Sequence, residues 1–294
     1  MTDARTLTQD LGGKWYRSYG AAPCPVCQPS RRMGQNALTL ADGHNGHLVL
    51  HCKKTDCAFL DILAAVGLRS GDYAPPDVAT LAQRKHDQKA NAEKRAAQAY
   101  RLWDEAQPII GTAAETYLRW RGISCDLPPT LRFHKECWHA ATAKRYPALV
   151  AAVQGSSLPA VHRTYLRPDG LGKADIEPAK AMLGTVAGGV VRLCEWPGPL
   201  VVGEGIESTL SLLSGLLDGP VTAWAALSTS GLRGLRLPPQ PGRLIIATDG
   251  DAPGRAAGHA LADRAHALGW QVSLLPAPDG RDWNDILTMK GEIA

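Results

Sequence analysis

The last third of the chain is punctuated by short, continuous apolar runs, each closed by glycine and an acid. Leu200-Val201-Val202-Gly203 runs into Glu204-Gly205, and Leu244-Ile245-Ile246-Ala247 runs into Asp249-Gly250-Asp251. Apolar runs of that length, without alternation, predict strands buried on both faces, as in parallel sheets. A helix follows each: Ile206 to Leu217, with Leu210, Leu213 and Leu217 on one face, and an Ala-rich segment opened by Pro253, since proline suits the first helical turn. Upstream, Tyr146–Val153 and Leu158–Leu166 read as successive strands, with the turn residues Pro168-Asp169-Gly170 after the second. Thr112 to Arg121 predicts a short helix, with Thr112 as N-cap and Glu115 completing a capping box. From Thr80 to Gln107 the pattern is helical, Ala-rich and dense in charge. Its apolar positions Ala97, Tyr100, Leu102, Trp103 and Ala106 gather at the end, so the first turns are expected in solvent. Residues 70–79, SGDYAPPDVA, have linker composition. Before them, Asn36–Leu40 and His47–Leu50 form a candidate hairpin, followed by the apolar segment AFLDILAAVGL.

A chain of 294 residues, 45% hydrophobic and 20% charged, has room for one large or several small folded domains. No apolar run approaches the roughly 20 residues needed to span a bilayer, and Met1–Gln9 lacks a signal-peptide core. A cytoplasmic protein without membrane contact is the expectation. The net charge of +4 is unevenly spread. From Pro199 onward there are 7 Lys and Arg against 10 Asp and Glu, and the first 198 residues carry 25 against 18. An acidic end on a basic remainder fits a metal site beside a polyanion-binding surface.

Two constellations carry chemistry. Cys24-Pro25-Val26-Cys27 is a C-x2-C knuckle, and Cys52 and Cys57 form a second pair beyond the hairpin. Together they read as a zinc ribbon, with four thiolates giving closed, structural coordination. The second pair has four intervening residues in place of two, which leaves His51 as a substitute ligand, with His44 and His47 nearby. Cys125, Cys137 and Cys194 are scattered, and His134, Cys137 and His139 lack a fourth ligand. The other constellation is acidic. Glu204, Asp249 and Asp251 stand where strands hand over to helices, the edge at which open α/β folds place ligands. They suit one or two hard divalent cations, Mg2+ or Mn2+. Asp251 equally suits capping of the helix at Pro253, and Asp285 capping of the last helix.

The order Glu-Gly, then Asp-x-Asp, then Asp282-Trp283-Asn284-Asp285 resembles the Toprim domain of primases and topoisomerases. CPVC, the hairpin, LVLHC and AFLDILAAVGL resemble the zinc-binding domain of DnaG-type, phage and plasmid primases. These resemblances imply an α/β protein: a Rossmann-like Toprim domain (199–294), a preceding α+β basic subdomain (111–198), a linker and charged helix (70–110), and an N-terminal zinc ribbon (1–69). They imply a DNA primase of a mobile element, making short primers on single-stranded DNA from nucleoside triphosphates. Glu204, Asp249 and Asp251 would be catalytic, with Asp282 and Asp285 completing the shell of Mg2+ or Mn2+, and Glu204 either ligand or general base. Arg163, Lys173 and Lys180 would face triphosphate or template, and Arg31, Arg32, Lys53 and Lys54 the template phosphates. No G-x-x-x-x-G-K-[ST] occurs, so a replicative helicase is expected as a separate partner. A Toprim nuclease and a non-catalytic DNA-binding replication factor are the alternatives.

Overall fold

A computed structural model describes residues 3–16, 18–30, 36–43, 47–69 and 71–293. Arg31, Arg32 and His44 therefore lie outside the described residues. The chain divides into two compact units, Met1–Ala90 and Asn91–Ala294.

In the first unit, α1 (Ala4–Asp10) precedes four short strands, β1 (Lys14–Trp15), β2 (Gly20–Ala22), β3 (Leu38–Asp42) and β4 (Leu48–Cys52), paired antiparallel in that order. Then come α2 (Phe59–Ala65) and the opening turns of α3 (Val78–Glu105). A small core of Leu7, Leu38, Leu40, Leu48 and Ile62 fills the unit. With so little apolar surface to bury, polar fastening matters. The Asp42 carboxylate accepts from Ala4 N at 2.9 Å, Tyr73 Oη at 2.9 Å and Arg84 Nη1 at 3.0 Å, while Arg84 Nη2 reaches Asp3 at 2.5 Å.

The second unit holds two five-stranded sheets. The first is an antiparallel meander of β5 (Gln107–Pro108), β6 (Leu131–His139), β7 (Lys144–Val153), β8 (Ala160–Tyr165) and β9 (Lys180–Leu183), with α4 (Ala113–Trp120) between β5 and β6. Strand alternation gives the meander two apolar faces. Leu131, Leu149, Ala151 and Ala160 pack into a core with α4, whereas Ala148, Val150, Val161 and Tyr165 pack with Ala99 and Ala106 from α3 and its end.

The capping box foreseen for α4 takes another form. Thr112 holds the extended N-cap backbone, but its hydroxyl donates to Ile109 O, and Glu115 accepts from Gly111 N.

The remaining elements are β10 (Val191–Glu195), β11 (Leu200–Gly203), α5 (Ile206–Ser211), β12 (Thr222–Ala225), α6 (Thr229–Gly234), β13 (Arg243–Thr248), α7 (Ala252–Ala267), β14 (Gln271–Pro276) and α8 (Trp283–Ile293). The second sheet runs β10-β12-β11-β13-β14, parallel except for β10. Its strands are covered on both sides, which explains their uninterrupted apolarity. Val202, Leu244 and Ile246 pack with Leu232 and Leu261 of α6 and α7, and Val201 and Ala247 with Leu212 on the other side. Full burial of Leu244 and Ile246 contributes about 1.5–3 kcal/mol each.

The helix expected to Leu217 is shorter. It passes at Ser211 into a single π turn and breaks at Ser214 and Gly215, where Gly215 adopts φ +102°. Glycine takes that conformation without steric cost.

Candidate functional site

The parallel register of the second sheet builds the acidic cluster. Gly203 pairs with Ala247, so Glu204 and Asp249 leave the carboxyl edge side by side. The Asp249-Gly250-Asp251 turn is then stapled to the next one. Gly250 N donates to Arg281 O at 2.8 Å and Gly280 N to Gly250 O at 3.0 Å. A Cβ on Gly250 would stand 1.9 Å from Pro278 O, so only glycine allows this approach. The staple brings Asp282 toward Asp249.

Burial pushes the Glu204 carboxyl up to about 7, with Asp249 and Asp251 adding to the rise. Burial and then Asp282 push Asp249 up to about 6, against a hydrogen bond donated by Ser208 Oγ at 3.2 Å. Both carboxylates are therefore disfavoured as bare anions. Glu204 Oε2 is buried without a hydrogen-bond partner. A Cβ on Gly254 would lie 3.1 Å from that oxygen and 2.9 Å from Asp251 Oδ1. Two acidic oxygens thus border one small space that glycine leaves open. An orphaned buried carboxylate oxygen, repelling neighbours and a cradle a methyl would fill together fit a divalent cation.

The acids do not all turn inward. Asp251 caps α7, accepting from Gly254 N at 2.7 Å. Asp282 and Asp285 cap α8 reciprocally: Asp285 N donates to Asp282 Oδ1 at 2.8 Å and Asp282 N to Asp285 Oδ2 at 3.0 Å. Among the described residues, no three of the five acids bring their ligand atoms within 4.8 Å of one another.

The basic residues separate by strand alternation. Lys180 pairs with Thr164 and Ala181 with Arg163, so Lys180 and Arg163 face opposite sides of the meander. Lys180 and Lys173 meet Glu207 of α5, at 3.0 and 3.8 Å, and Lys180 lowers the carboxyls of both Glu204 and Asp249. Arg163 does not join them. Its guanidinium reaches Trp138 O and Met182 O on the face opposite Lys180.

Glu207 was not foreseen. It is 4% exposed, yet charged. Burial opposes the charge, but Lys180 and Lys173 outweigh it and hold the carboxyl far below its usual range. Tyr117 Oη donates to it at 2.9 Å. The signal available in the sequence was an acid inside the apolar face of Ile206 and Leu210. Asn284 is buried too, donating to Arg121 O and Ser211 Oγ at 2.8 Å each, and so fixes α8 against α4 and α5. His134, Cys137 and His139 fall on β6, where His139 is occupied by Thr142 and the carbonyl of Pro178.

In the first unit, Cys24 and Cys27 follow β2, Cys52 ends β4, and Cys57 precedes α2. Their four sulfurs lie within 4.8 Å of one another, and none is in a disulfide. Tetrahedral zinc with bonds of about 2.3 Å needs sulfurs roughly 3.8 Å apart. Burial raises the Cys24 thiol to about 12. It acts in the same direction at Cys52, but the amides of Thr55, Cys57 and Lys54 hold that thiol down at about 5. A site with donors of this kind is built to hold a metal ion. His51 stands outside it, 3.7 Å from Asp56. Lys53 and Lys54 border a shallow depression with Gln28 and Asn36.

With this geometry in place, the fold can be classed. Residues 199–292 match the Toprim domain family, and residues 93–193 match a domain of unknown function (DUF7146). The chain is an α/β protein with a Toprim domain, an α+β region before it and a four-cysteine cluster near its N-terminus. No curated protein matches it. Among solved structures it is similar to the zinc-binding and RNA polymerase domains of the Aquifex aeolicus primase, with 13% identity, TM-score 0.44, and 98% of this chain and 80% of that one covered. It is also similar to a DNA primase domain from Pseudomonas aeruginosa, with 19% identity, TM-score 0.41, and 67% and 75% covered. A third is the RNA polymerase domain of the Mycobacterium tuberculosis primase DnaG, with 18% identity, TM-score 0.41, and 69% and 81% covered. Among the described residues, no helix is long and apolar enough to cross a membrane.

Proposed function

We propose that the chain is a DNA primase that makes short oligonucleotide primers on a single-stranded template. The observation that carries this reading is the orphaned Glu204 oxygen in the Glu204–Asp249–Asp251 cluster, set beside a lysine pair at the edge of a Toprim sheet. Mg2+ or Mn2+ in the cluster would supply charge neutralisation at the attacked phosphate and its leaving group. Glu204 and Asp249 would hold the ion, with Asp251 bordering the same space. Asp282 is placed to act on Asp249 through its charge, and Asp285 acts by holding the α8 cap. Lys173 and Lys180, a little over one-third exposed and anchored on Glu207, present cations to a triphosphate. Zn2+ on the four cysteines would hold the first unit together, and the stacked Tyr16 and Tyr19, with Lys14 5.9 Å over Tyr16, offer a strand a base platform. We assign the primers to a mobile element in the cytoplasm, with unwinding left to a separate helicase.

The test is incorporation of labelled nucleotide on single-stranded DNA with Mg2+ or Mn2+, comparing wild type with Asp249→Asn. Short, template-dependent products that vanish in the variant are expected. Metal-dependent shortening of the DNA would replace the primase with a nuclease. DNA binding without either activity would replace it with a replication factor.

A further inference from the structure

The far side of the meander holds a cavity of about 610 Å3 that the acidic cluster does not use. It lies between the second half of α3 and the sheet, and Arg95, Arg101, Arg145 and Arg163 line it, against Glu105 and Glu136. Glu105 is already engaged with His134 at 3.4 Å. Among the described residues, none of the four arginines has a carboxylate within ion-pair distance.

Two of them are held in an arrangement that asks for an anion. Arg95 Nη2 and Arg163 Nη2 each lie 3.5 Å from one carbonyl oxygen, that of Met182. Both bonds sit at the limit of hydrogen-bond length, and the Nε atom of each guanidinium is buried without a partner. Like charges brought this close repel each other, and neutral carbonyls, that of Met182 shared by both and that of Trp138 accepting from Arg163 Nη1 at 3.2 Å, do not neutralise them. A phosphate group between them would bridge both forks, because guanidinium donors match phosphate oxygens in pairs. At the same cavity stands Trp138, about half exposed, with the Arg145 guanidinium 5.9 Å over its ring. An aromatic face with a cation over it is a stacking surface for a base. The volume lies within the range of small-ligand sites, and the walls of one helix and one sheet enclose a mononucleotide more naturally than a continuous strand.

We propose that this cavity binds a nucleoside polyphosphate, its phosphates on Arg95 and Arg163 and its base against Trp138. The site is separate from the acidic cluster and does not depend on the primase reading. Its occupant reaches the α3 face of the sheet whose opposite face carries Lys180, and so fits an effector better than the reacting nucleotide.

The experiment uses the full chain carrying Glu204→Gln and Asp249→Asn, in buffer without divalent ions other than the cysteine-bound metal, so that the acidic cluster is silent. ATP and GTP are titrated by calorimetry, with adenosine as the phosphate-free control and oligo-dT as the strand control. The expected result is saturable, salt-sensitive binding of ATP or GTP and none of adenosine. Arg95→Gln combined with Arg101→Gln should weaken it at least tenfold, with Arg95→Lys intermediate. Because Arg163 also supports the sheet, the α3 pair and the rim variant Arg145→Gln are preferred, with an unchanged melting curve as the folding control. Affinity unaltered by these variants, equal binding of adenosine, or binding of oligo-dT without either nucleotide would overturn the proposal. Primer synthesis with no nucleotide bound here would also overturn it while leaving the primase reading in place.

Discussion

Gly254→Ala tests the cation site with one carbon atom. Gly254 is the third residue of α7 and its φ is not positive, so alanine fits the backbone and by helix propensity alone would add up to about 1 kcal/mol. The new methyl would meet Asp251 Oδ1 at 2.9 Å, Glu204 Oε2 at 3.1 Å and the backbone oxygen of Asp249 at 3.1 Å, so the Asp251 carboxylate must shift and the other two give by a few tenths of an ångström. Loss of the Asp251 cap would cost about 1 kcal/mol. The gain and the cost nearly cancel, so thermal stability should stay within about 1 kcal/mol of wild type. Ion binding has no such compensation, since Mg2+ tolerates little departure from about 2.1 Å bonds in octahedral geometry. We expect at least a tenfold loss of affinity, about 1.4 kcal/mol. The assay is titration of free Mn2+ by electron paramagnetic resonance, with the cysteine site already filled. Gly205→Ala is the control: its methyl would meet only Ser208 Oγ, at 3.7 Å. Wild-type Mn2+ affinity in Gly254→Ala would refute the assignment of this space to an ion.

Three further outcomes follow from the same geometry. Glu207→Gln keeps an acceptor for Tyr117 but removes the charge held by Lys180 and Lys173, and should cost about 1–3 kcal/mol at pH 7. Because the folded Glu207 carboxyl lies well below its ordinary value of 4.5, the wild-type advantage is full above about pH 4.5 and shrinks by about 1.4 kcal/mol per unit below it; melting curves whose difference ignores pH would contradict this. Asp251→Asn preserves an N-cap acceptor, so the melting temperature should barely move while Mn2+ affinity falls, and an equal loss of both would make Asp251 a cap alone. Cys52→Ser should lower bound zinc from one equivalent and unfold the first unit with little effect on the second, as read by a colorimetric zinc assay and by proteolysis.

The apolar runs ending in acids were legible because strands covered on both faces leave no polar positions, and an acid at their end has no packing reason to be there. The cysteine knuckles were legible for a similar reason, as thiols at fixed spacing around a hairpin. The face that Arg163 takes was not legible, because a resemblance carries residue types, whereas the face of a strand depends on a register of one residue. Lys180 pairing with Thr164 put the arginine on the other side. Glu207 escaped notice because a single acid in an apolar helix looks like a surface position until its two lysines, distant in sequence, are seen closing over it. Asp251 and Asp285 were ambiguous for a physical reason: the residue types that end a loop and start a helix are also those that bind cations.

The strand β10 has a consequence for how such a protein is inherited. It lies before residue 199, where the Toprim match begins, yet it pairs with β12 and supplies Val191 and Leu193 to a core shared with α4, α5 and α8. Glu207 likewise belongs to one segment and its lysine partners to the other. A gene fragment starting at residue 199 would expose the flank of β12 and strand a buried anion without its counterions. The boundary recognised by sequence families is therefore a poor crossover point, and recombination that exchanges the Toprim end should succeed when the break falls upstream, carrying the meander along as a single cassette.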